Sequence, residues 1–288
     1  MEKWGPNMSK IAIVTDSTAY LDQETIEQYQ IKVLPLSVNF GEETIEETNL
    51  GYEKFYDKMR SFPDLPTTSQ PALGHFIETY EQLARDHDAI LSFHLSSGIS
   101  GTFQTAVSAA RSIEHAKVYP FDSEISCEPQ AFFIREAAQM IEDGKDVDEI
   151  FKRLSEVRET LQAYFIVDDL NHLHRGGRLS GAQRLIGSAL KIKPILTFEN
   201  KVIVPYEKVR TYKRALQRVL SFLDQSASEG KQINASVIHA NALPEAERIQ
   251  KEIQEKYDNV TVSISYFGPV IGTHLGENSI GVTWYESN

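Results

Sequence analysis

The stretch Ala89-Ile90-Leu91-Ser92-Phe93-His94-Leu95 runs without a break into Ser96-Ser97-Gly98-Ile99-Ser100-Gly101-Thr102. Its first half is largely apolar, the mark of a strand buried on both faces of a parallel sheet. Its second half is small and hydroxyl-bearing, and a helical pattern follows over residues 101–113. A buried strand that enters a helix through a glycine-rich turn is the building unit of an α/β fold. In such sheets ligands gather outside the carboxyl ends of the strands.

The same unit recurs on either side. Residues 10–14 form a short apolar run that ends in Thr15-Asp16-Ser17-Thr18. A helix is expected over 21–30, with Asp22 as its cap. Residues 32–40 read as a second strand, with Pro35 implying an edge position or a bulge. Helical spacing covers 52–60 and 73–85, and loop signals fill 61–71. Beyond the opening stretch, a strand over 117–121 closes on Asp122-Ser123, and amphipathic helices follow at 129–143 and 147–160. From residue 161 the pattern continues with a strand at 164–167, a basic turn at 172–180 and a small helix at 181–190. A hairpin is expected around 199–201, then a helix at 211–226, a strand at 235–239, a helix at 244–257 and a strand at 260–266. A glycine-containing block over 268–276 precedes a last strand at 280–285. The expectation is an α/β protein with a largely parallel sheet, organised as an N-terminal α/β domain (8–160) and a C-terminal α/β domain (161–288).

Composition narrows the function classes. The 288 residues are 41% hydrophobic and 24% charged, an ordinary globular balance. A net charge of −12 argues against nucleic acid or an anionic membrane as partner. The single cysteine, Cys127, excludes a disulfide within the chain and any CxxC metal site. It fits a reducing, cytoplasmic location. No run of 18 apolar residues occurs, and residues 1–7 lack the apolar core of a signal peptide. Met8 reads as the natural start, with the preceding residues as a remnant of expression.

Three blocks carry the chemistry: Pro66-Thr67-Thr68-Ser69-Gln70-Pro71, Ser96 to Thr102, and Gly272-Thr273-His274-Leu275-Gly276. Each combines permissive backbone with neutral hydrogen-bond donors. Free amides at the start of a helix attract an anion, and serine hydroxyls add donors. The middle block lacks the lysine of a P-loop and the glycine spacing of a nucleophile elbow. The set suits holding an anionic head group better than breaking bonds. The alternative is a serine-dependent hydrolase or acyltransferase, with Ser97 as nucleophile, His274 as base and Asp16 or Asp122 orienting the ring. His172 and His174 with Asp168 and Asp169 fall short of a metal-ligand pattern, so no metal is expected.

Taken in order, Val14-Thr15-Asp16-Ser17-Thr18, Thr67-Thr68-Ser69-Gln70-Pro71, the Ser96 to Thr102 block, Asp122-Ser123, Leu173-His174-Arg175-Gly176-Gly177-Arg178, Lys193-Pro194-Ile195 and Gly272 to Gly276 make the sequence resemble the DegV family of bacterial fatty-acid-binding proteins. The likeness spans essentially the whole chain from Met8. It implies two α/β domains with a long-chain fatty acid in a tunnel between them and no cofactor. The carboxylate would be held by Thr68 and Ser97, with Ser96 as the near alternative, and Thr273 and His274 beside it. The ligand class implied is palmitate, stearate or oleate. The resemblance further implies a carrier rather than an enzyme, which presents the acid to a separate fatty acid kinase for acyl phosphate formation in phospholipid metabolism. Arg178 and Arg210 match the positions that engage the kinase. Two departures stand out: Glu277-Asn278-Ser279 after the last motif, and His172 and His174 before the Gly-Gly-Arg turn.

The physics of a fatty acid fits these residues. Each buried methylene contributes about 0.8 kcal/mol, so a tail of about 16 carbons brings roughly 10 kcal/mol before ordering costs. The hydroxyls would set orientation. Ile186, Leu190, Ile192 and Ile195 are the expected tunnel lining.

Overall fold

A computed structural model describes residues 10–180 and 193–287. The expected helix at 181–190 and the expected lining residues Ile186, Leu190 and Ile192 lie outside the described residues.

The opening stretch is the central strand the sequence implied. β6 (Ala89–His94) is buried along its whole length. It pairs in parallel with β1 (Ile11–Asp16) and β7 (Lys117–Asp122), and β1 pairs with the edge strand β2 (Lys32–Leu34), giving the order β2-β1-β6-β7. Side chains alternate across the sheet. Ala12, Val14 and Ile90 face α3 (Leu73–Leu83) and α4 (Thr102–Ala110). Ile13, Leu91 and Phe93 face α5 (Glu128–Glu142) and α6 (Val147–Thr160). Asp22 and Asp146 cap their helices as side-chain acceptors. Helices α1 (Gln23–Gln28) and α2 (Tyr52–Ser61) complete this half.

The expected strand at 32–40 is two strands. Pro35 lies between β2 and β3 (Ser37–Phe40), because proline cannot donate to a ladder. β3 leaves the parallel sheet and pairs antiparallel with β4 (Glu43–Glu46) and β5 (Thr67–Ser69). The segment read as loop at 61–71 thus contains a strand.

The second half is less parallel than expected. Its six strands are β8 (Gln162–Ile166), β9 (Lys193–Glu199), β10 (Val202–Val209), β11 (Ile233–His239), β12 (Val260–Tyr266) and β13 (Ile280–Glu286). Their order is β10-β9-β8-β13-β11-β12, and only β11 and β12 run parallel. The hairpin β9–β10 and the insertion of β13 between β8 and β11 impose the antiparallel pairs. Short helix α7 (Asn171–Arg175) follows β8. Helices α8 (Tyr212–Ala227, capped by Thr211) and α9 (Leu243–Lys256) cover one face of this sheet. Ile195 belongs to that covered face, so it packs in ordinary core and not in a ligand tunnel. The other face, with Phe165, Val167, Leu196 and Ile238, packs against Phe40, Phe55, Leu95 and Cys127 of the N-terminal half. The glycine-containing block at 268–276 includes helix α10 (Pro269–Leu275).

One buried carboxylate ties the N-terminal half together. Asp16, with no exposed surface, accepts from the Thr18 amide (3.1 Å) and hydroxyl (2.6 Å), from Gln130 Nε2 (3.2 Å), His94 Nδ1 (3.1 Å) and the Leu95 amide (2.8 Å). His94 Nε2 meets Ser92 Oγ at 2.7 Å, and Ser92 meets the Tyr80 hydroxyl at 2.7 Å. This Ser–His–Asp order mimics a hydrolase triad. Ser92 and His94 are fully buried, however, and none of the described cavities is lined by them.

Removing a buried carboxylate strands its donors in a medium that cannot solvate them. Asp16→Ala should therefore lower stability by about 3 kcal/mol or more in urea denaturation. The exposed cap change Asp22→Ala should cost only about 1 kcal/mol. Equal losses in the two variants would contradict the role given to Asp16.

Candidate functional site

β5 is short, but its register decides what it shows. Thr68 stands opposite Val38 of β3, and its exposed neighbours Thr67 and Ser69 flank it. Thr68 turns to His274, with Thr68 Oγ1 and His274 Nε2 2.9 Å apart. The two residues are 206 positions apart in sequence. His274 lies in the last turn of α10, whose start is pinned from the N-terminal half. The buried Glu47 carboxylate accepts from the Val270 amide (3.0 Å), from Tyr20 Oη (3.1 Å) and from Ser17 Oγ. Burial pushes the Glu47 carboxyl up to about 7, against the pull of these hydrogen bonds.

Thr68 and His274 stand on the wall of a cavity of about 300 Å³, at the lower end of the range for ligand pockets. Near them the wall includes Gln70, Ser100, Gly101 and Arg178; elsewhere it is mainly apolar, with Leu95, Ile99, Phe165, Ile203, Ile238, Phe267 and Ile271. Gln70 ties β5 to the start of α4 by donating to Thr105 Oγ1 (2.6 Å). A Cβ at Gly101 would meet the Gln70 side-chain amide, which would have to swing aside to admit it. Ser100 Oγ accepts from the Thr102 amide at 3.3 Å and pairs with Thr102 Oγ1 at 2.9 Å, a local tie at the start of α4.

Outside Thr68 and His274 lies a small vestibule of about 280 Å³. It is lined by Leu65, Pro66, Thr67, Thr68, His172, Arg175, Gly176, Arg178, Thr273 and His274, with no carboxylate among them. A local cationic surface thus sits on a chain of net charge −12. A Cβ at Gly176 would strike the His274 ring, so the Gly-Gly-Arg turn can lie flat against it. His274 Nδ1 is out of solvent contact and meets no partner among the described residues. Burial, then the positive charges of Arg178 and His172, push its pKa down to about 4. The imidazole is therefore neutral near pH 7. In the tautomer that carries its proton on Nε2, the ring donates to Thr68 Oγ1 and leaves the threonine proton free for a ligand.

The structure brings some expected residues to this site and not others. Thr68 and His274 meet on the cavity wall. Thr273 lines the vestibule, and its hydroxyl donates to Pro269 O (2.8 Å). Ser96 and Ser97 are not on the cavity wall. Ser96 Oγ donates to the Lys201 carbonyl (2.6 Å) and Ser97 Oγ to Asp122 (2.6 Å), so both hold the loop to its neighbours. The serine of that block at the cavity is Ser100, a residue the sequence reading passed over. Its position just before the glycine that opens α4 was the available signal. Arg178, expected at a partner surface, borders both cavity and vestibule, and its Nη1 donates to Gly176 O (2.5 Å). Arg210 is exposed after β10 and lines neither. The hydrolase arrangement is not assembled, because Ser97 bonds Asp122 while His274 bonds Thr68. Among the described residues no cluster of His, Cys, Asp and Glu is placed to hold a metal, and no helix is long and apolar enough to cross a membrane.

The buried ring gives a pH prediction. Unfolded, His274 takes up its proton near pH 6.5; folded, it resists until about 4. Between these values the unfolded chain binds the extra proton. The stability linked to this group is therefore complete above 6.5 and is lost as pH falls toward 4. In NMR, the His274 ring signals should stay flat between about pH 8 and 5, where an exposed histidine titrates. A midpoint near 6.5 would contradict the buried neutral ring.

Comparisons with known proteins follow the same lines. A family model described as an uncharacterised protein of the DegV family matches residues 10–287. Protein DegV of Bacillus subtilis is 52% identical over 276 residues, covering 95% of this chain and 98% of that protein. A crystal structure of DegV from Bacillus subtilis, described as a fatty acid binding protein, has a TM-score of 0.92 at 51% identity, over 97% of this chain and all (100%) of that one. A fatty-acid-binding DegV family protein from Thermus thermophilus has a TM-score of 0.90 at 27% identity, over 96% of this chain and 100% of that one. The motifs in order, the fold and these likenesses agree: the chain belongs to the DegV family.

Proposed function

We propose that the cavity binds one long-chain fatty acid of the palmitate, stearate or oleate type and that the protein presents its carboxylate to a separate fatty acid kinase. The observation that carries this reading is the Thr68–His274 pair at the head of an apolar cavity. The fatty acid binding of the related Bacillus subtilis and Thermus thermophilus proteins supports it.

In this reading each residue has a role. His274 fixes the Thr68 hydroxyl by donating to it, and Thr68 donates its own proton to the carboxylate. Ser100 supplies a second hydroxyl, in place of Ser96 and Ser97, and the start of α4 adds a favourable dipole. Arg178 lies at the rim, where its charge favours the anion. Thr273 supports the vestibule from behind. The apolar wall takes the tail, whose burial dominates affinity. The basic vestibule leaves the head group facing outward, toward an incoming phosphoryl donor, and Arg210 on the surface serves kinase engagement.

Organic extraction followed by mass spectrometry should recover about one acyl chain per protein, and delipidated protein should take up palmitate or oleate. Failure of both would end the fatty-acid reading. Thr68→Ala and Ser100→Ala should each weaken binding by about 1.5–3 kcal/mol, the range for a hydrogen bond to a charged group. Ser97→Ala should leave affinity nearly unchanged, because its hydroxyl is committed to Asp122. The reverse ranking would return the carboxylate to Ser97. For the kinase role, Arg210→Glu should slow acyl phosphate formation at unchanged lipid affinity. A normal rate with the cognate kinase would remove Arg210 from that surface.

A further inference from the structure

We propose that Phe198 is the stop that sets how long an acyl tail this cavity accepts. The inference rests on the fatty-acid reading above and adds the determinant of chain length.

The head group and the far end of the cavity are separated along β8. Its carboxyl end leads through α7 to Arg178, beside Thr68 and His274. Its amino end carries Ala163. On the neighbouring strand, Thr283 pairs with Ala163, just as Gly281 pairs with Phe165, so these four residues form a floor that runs away from the head group. At that end the cavity abuts a second pocket of about 430 Å³, and the two share Ile125, Ala163, Tyr164 and Phe198. The walls of the second pocket are otherwise mostly polar, with Ser123, Glu124, Arg158, Gln162, Thr197 and Glu199.

Among the shared residues Phe198 is the one large side chain able to separate the two spaces. The Tyr164 ring stacks among Tyr206, Phe222 and Trp284 on the opposite face of the sheet. Ala163 has only a methyl group, and Ile125 is fixed in the core of the N-terminal half. Register places Phe198 one step past the Tyr164–Thr197 pair, next to Ala163, and Thr197 Oγ1 donates to Ala163 O (2.8 Å). The half-buried Phe198 ring contacts the cores on both sides of the cavity and lies 6.2 Å from Phe165, centroid to centroid. A tail that reaches the ring can go further only by entering a polar, wet pocket, where added methylenes gain little. The small Ala163 beside it keeps the last part of the floor open.

Delipidated wild-type protein is tested against laurate, palmitate, stearate, arachidate and behenate by competition and native mass spectrometry. Affinity should rise by about fourfold per methylene while the tail still fits, then level off or fall. In Phe198→Ala that limit should move to longer acids, with behenate gaining about tenfold or more relative to palmitate. In Ala163→Leu it should move to shorter acids. Phe198→Leu, which keeps more of the packing, should give a smaller shift in the direction of Phe198→Ala. Wild-type length profiles in folded Ala163→Leu and Phe198→Leu, checked by thermal melting, would overturn the stop. Uptake of none of these acids by the wild type would overturn the fatty-acid reading, and the stop with it.

Discussion

The Asp16 carboxylate is the constraint on which the rest of the molecule depends. It ends β1, yet its acceptor capacity is spent on other segments: the turn at Thr18, helix α5 through Gln130, and the end of β6 through His94 and Leu95. A buried carboxylate without donors would be prohibitively costly, so these segments are held where its lone pairs point. The bond to the Leu95 amide matters most for the site. It fixes where β6 stops and hence where the loop bearing Ser100 and Gly101 begins. Lys201 then closes the loop from the other half, accepting from Ser96 through its carbonyl and reaching Asp122 with its ammonium (2.9 Å).

A second buried acid performs the same task for the other wall. Glu47, in the turn just after β4, holds the first turn of α10, and Tyr56 donates to Phe267 O (2.9 Å) just before that helix. The result is a His274 ring whose position is set by contacts at the opposite end of its helix. The site is therefore assembled from three segments that are remote in sequence, each tethered by buried polar contacts and not by its own local preferences. That arrangement leaves the Thr68–His274 pair preorganised, so little ordering is left for a ligand to impose.

This division explains what could be read in the sequence. Apolar runs and caps depend on near neighbours, and the strands of the parallel sheet and the cap Asp22 were legible. β5 was not, because Thr67–Ser69 becomes a strand only by pairing with β3. Helix α10 was hidden by its glycine and proline, and its start is stabilised by Glu47 more than 200 residues away. The antiparallel character of the second sheet depends on where β13 inserts, which no local pattern states. Which serine of the block borders the cavity was hidden for a similar reason. Ser96, Ser97 and Ser100 look equivalent in the sequence, and only the distant partners Lys201 and Asp122 reveal that the first two are turned away from the cavity, while Ser100 pairs locally with Thr102.

The chemistry of the head-group end is weaker than it had to be, and that weakness suits the proposed role. A protonated histidine against a carboxylate would add a charge-assisted bond, yet burial and the nearby Arg178 and His172 keep His274 neutral. In the proposed complex the grip on the acid would come from hydroxyls, with Arg178 at the rim, while the apolar wall would supply most of the affinity. Affinity and accessibility are thereby separated. The tail can be held tightly without burying the carboxylate under a strong ion pair. Under that proposal, a reacting partner approaching through the vestibule would meet an oxygen oriented by Thr68 but still nucleophilic, since each strong cationic contact would withdraw charge from it.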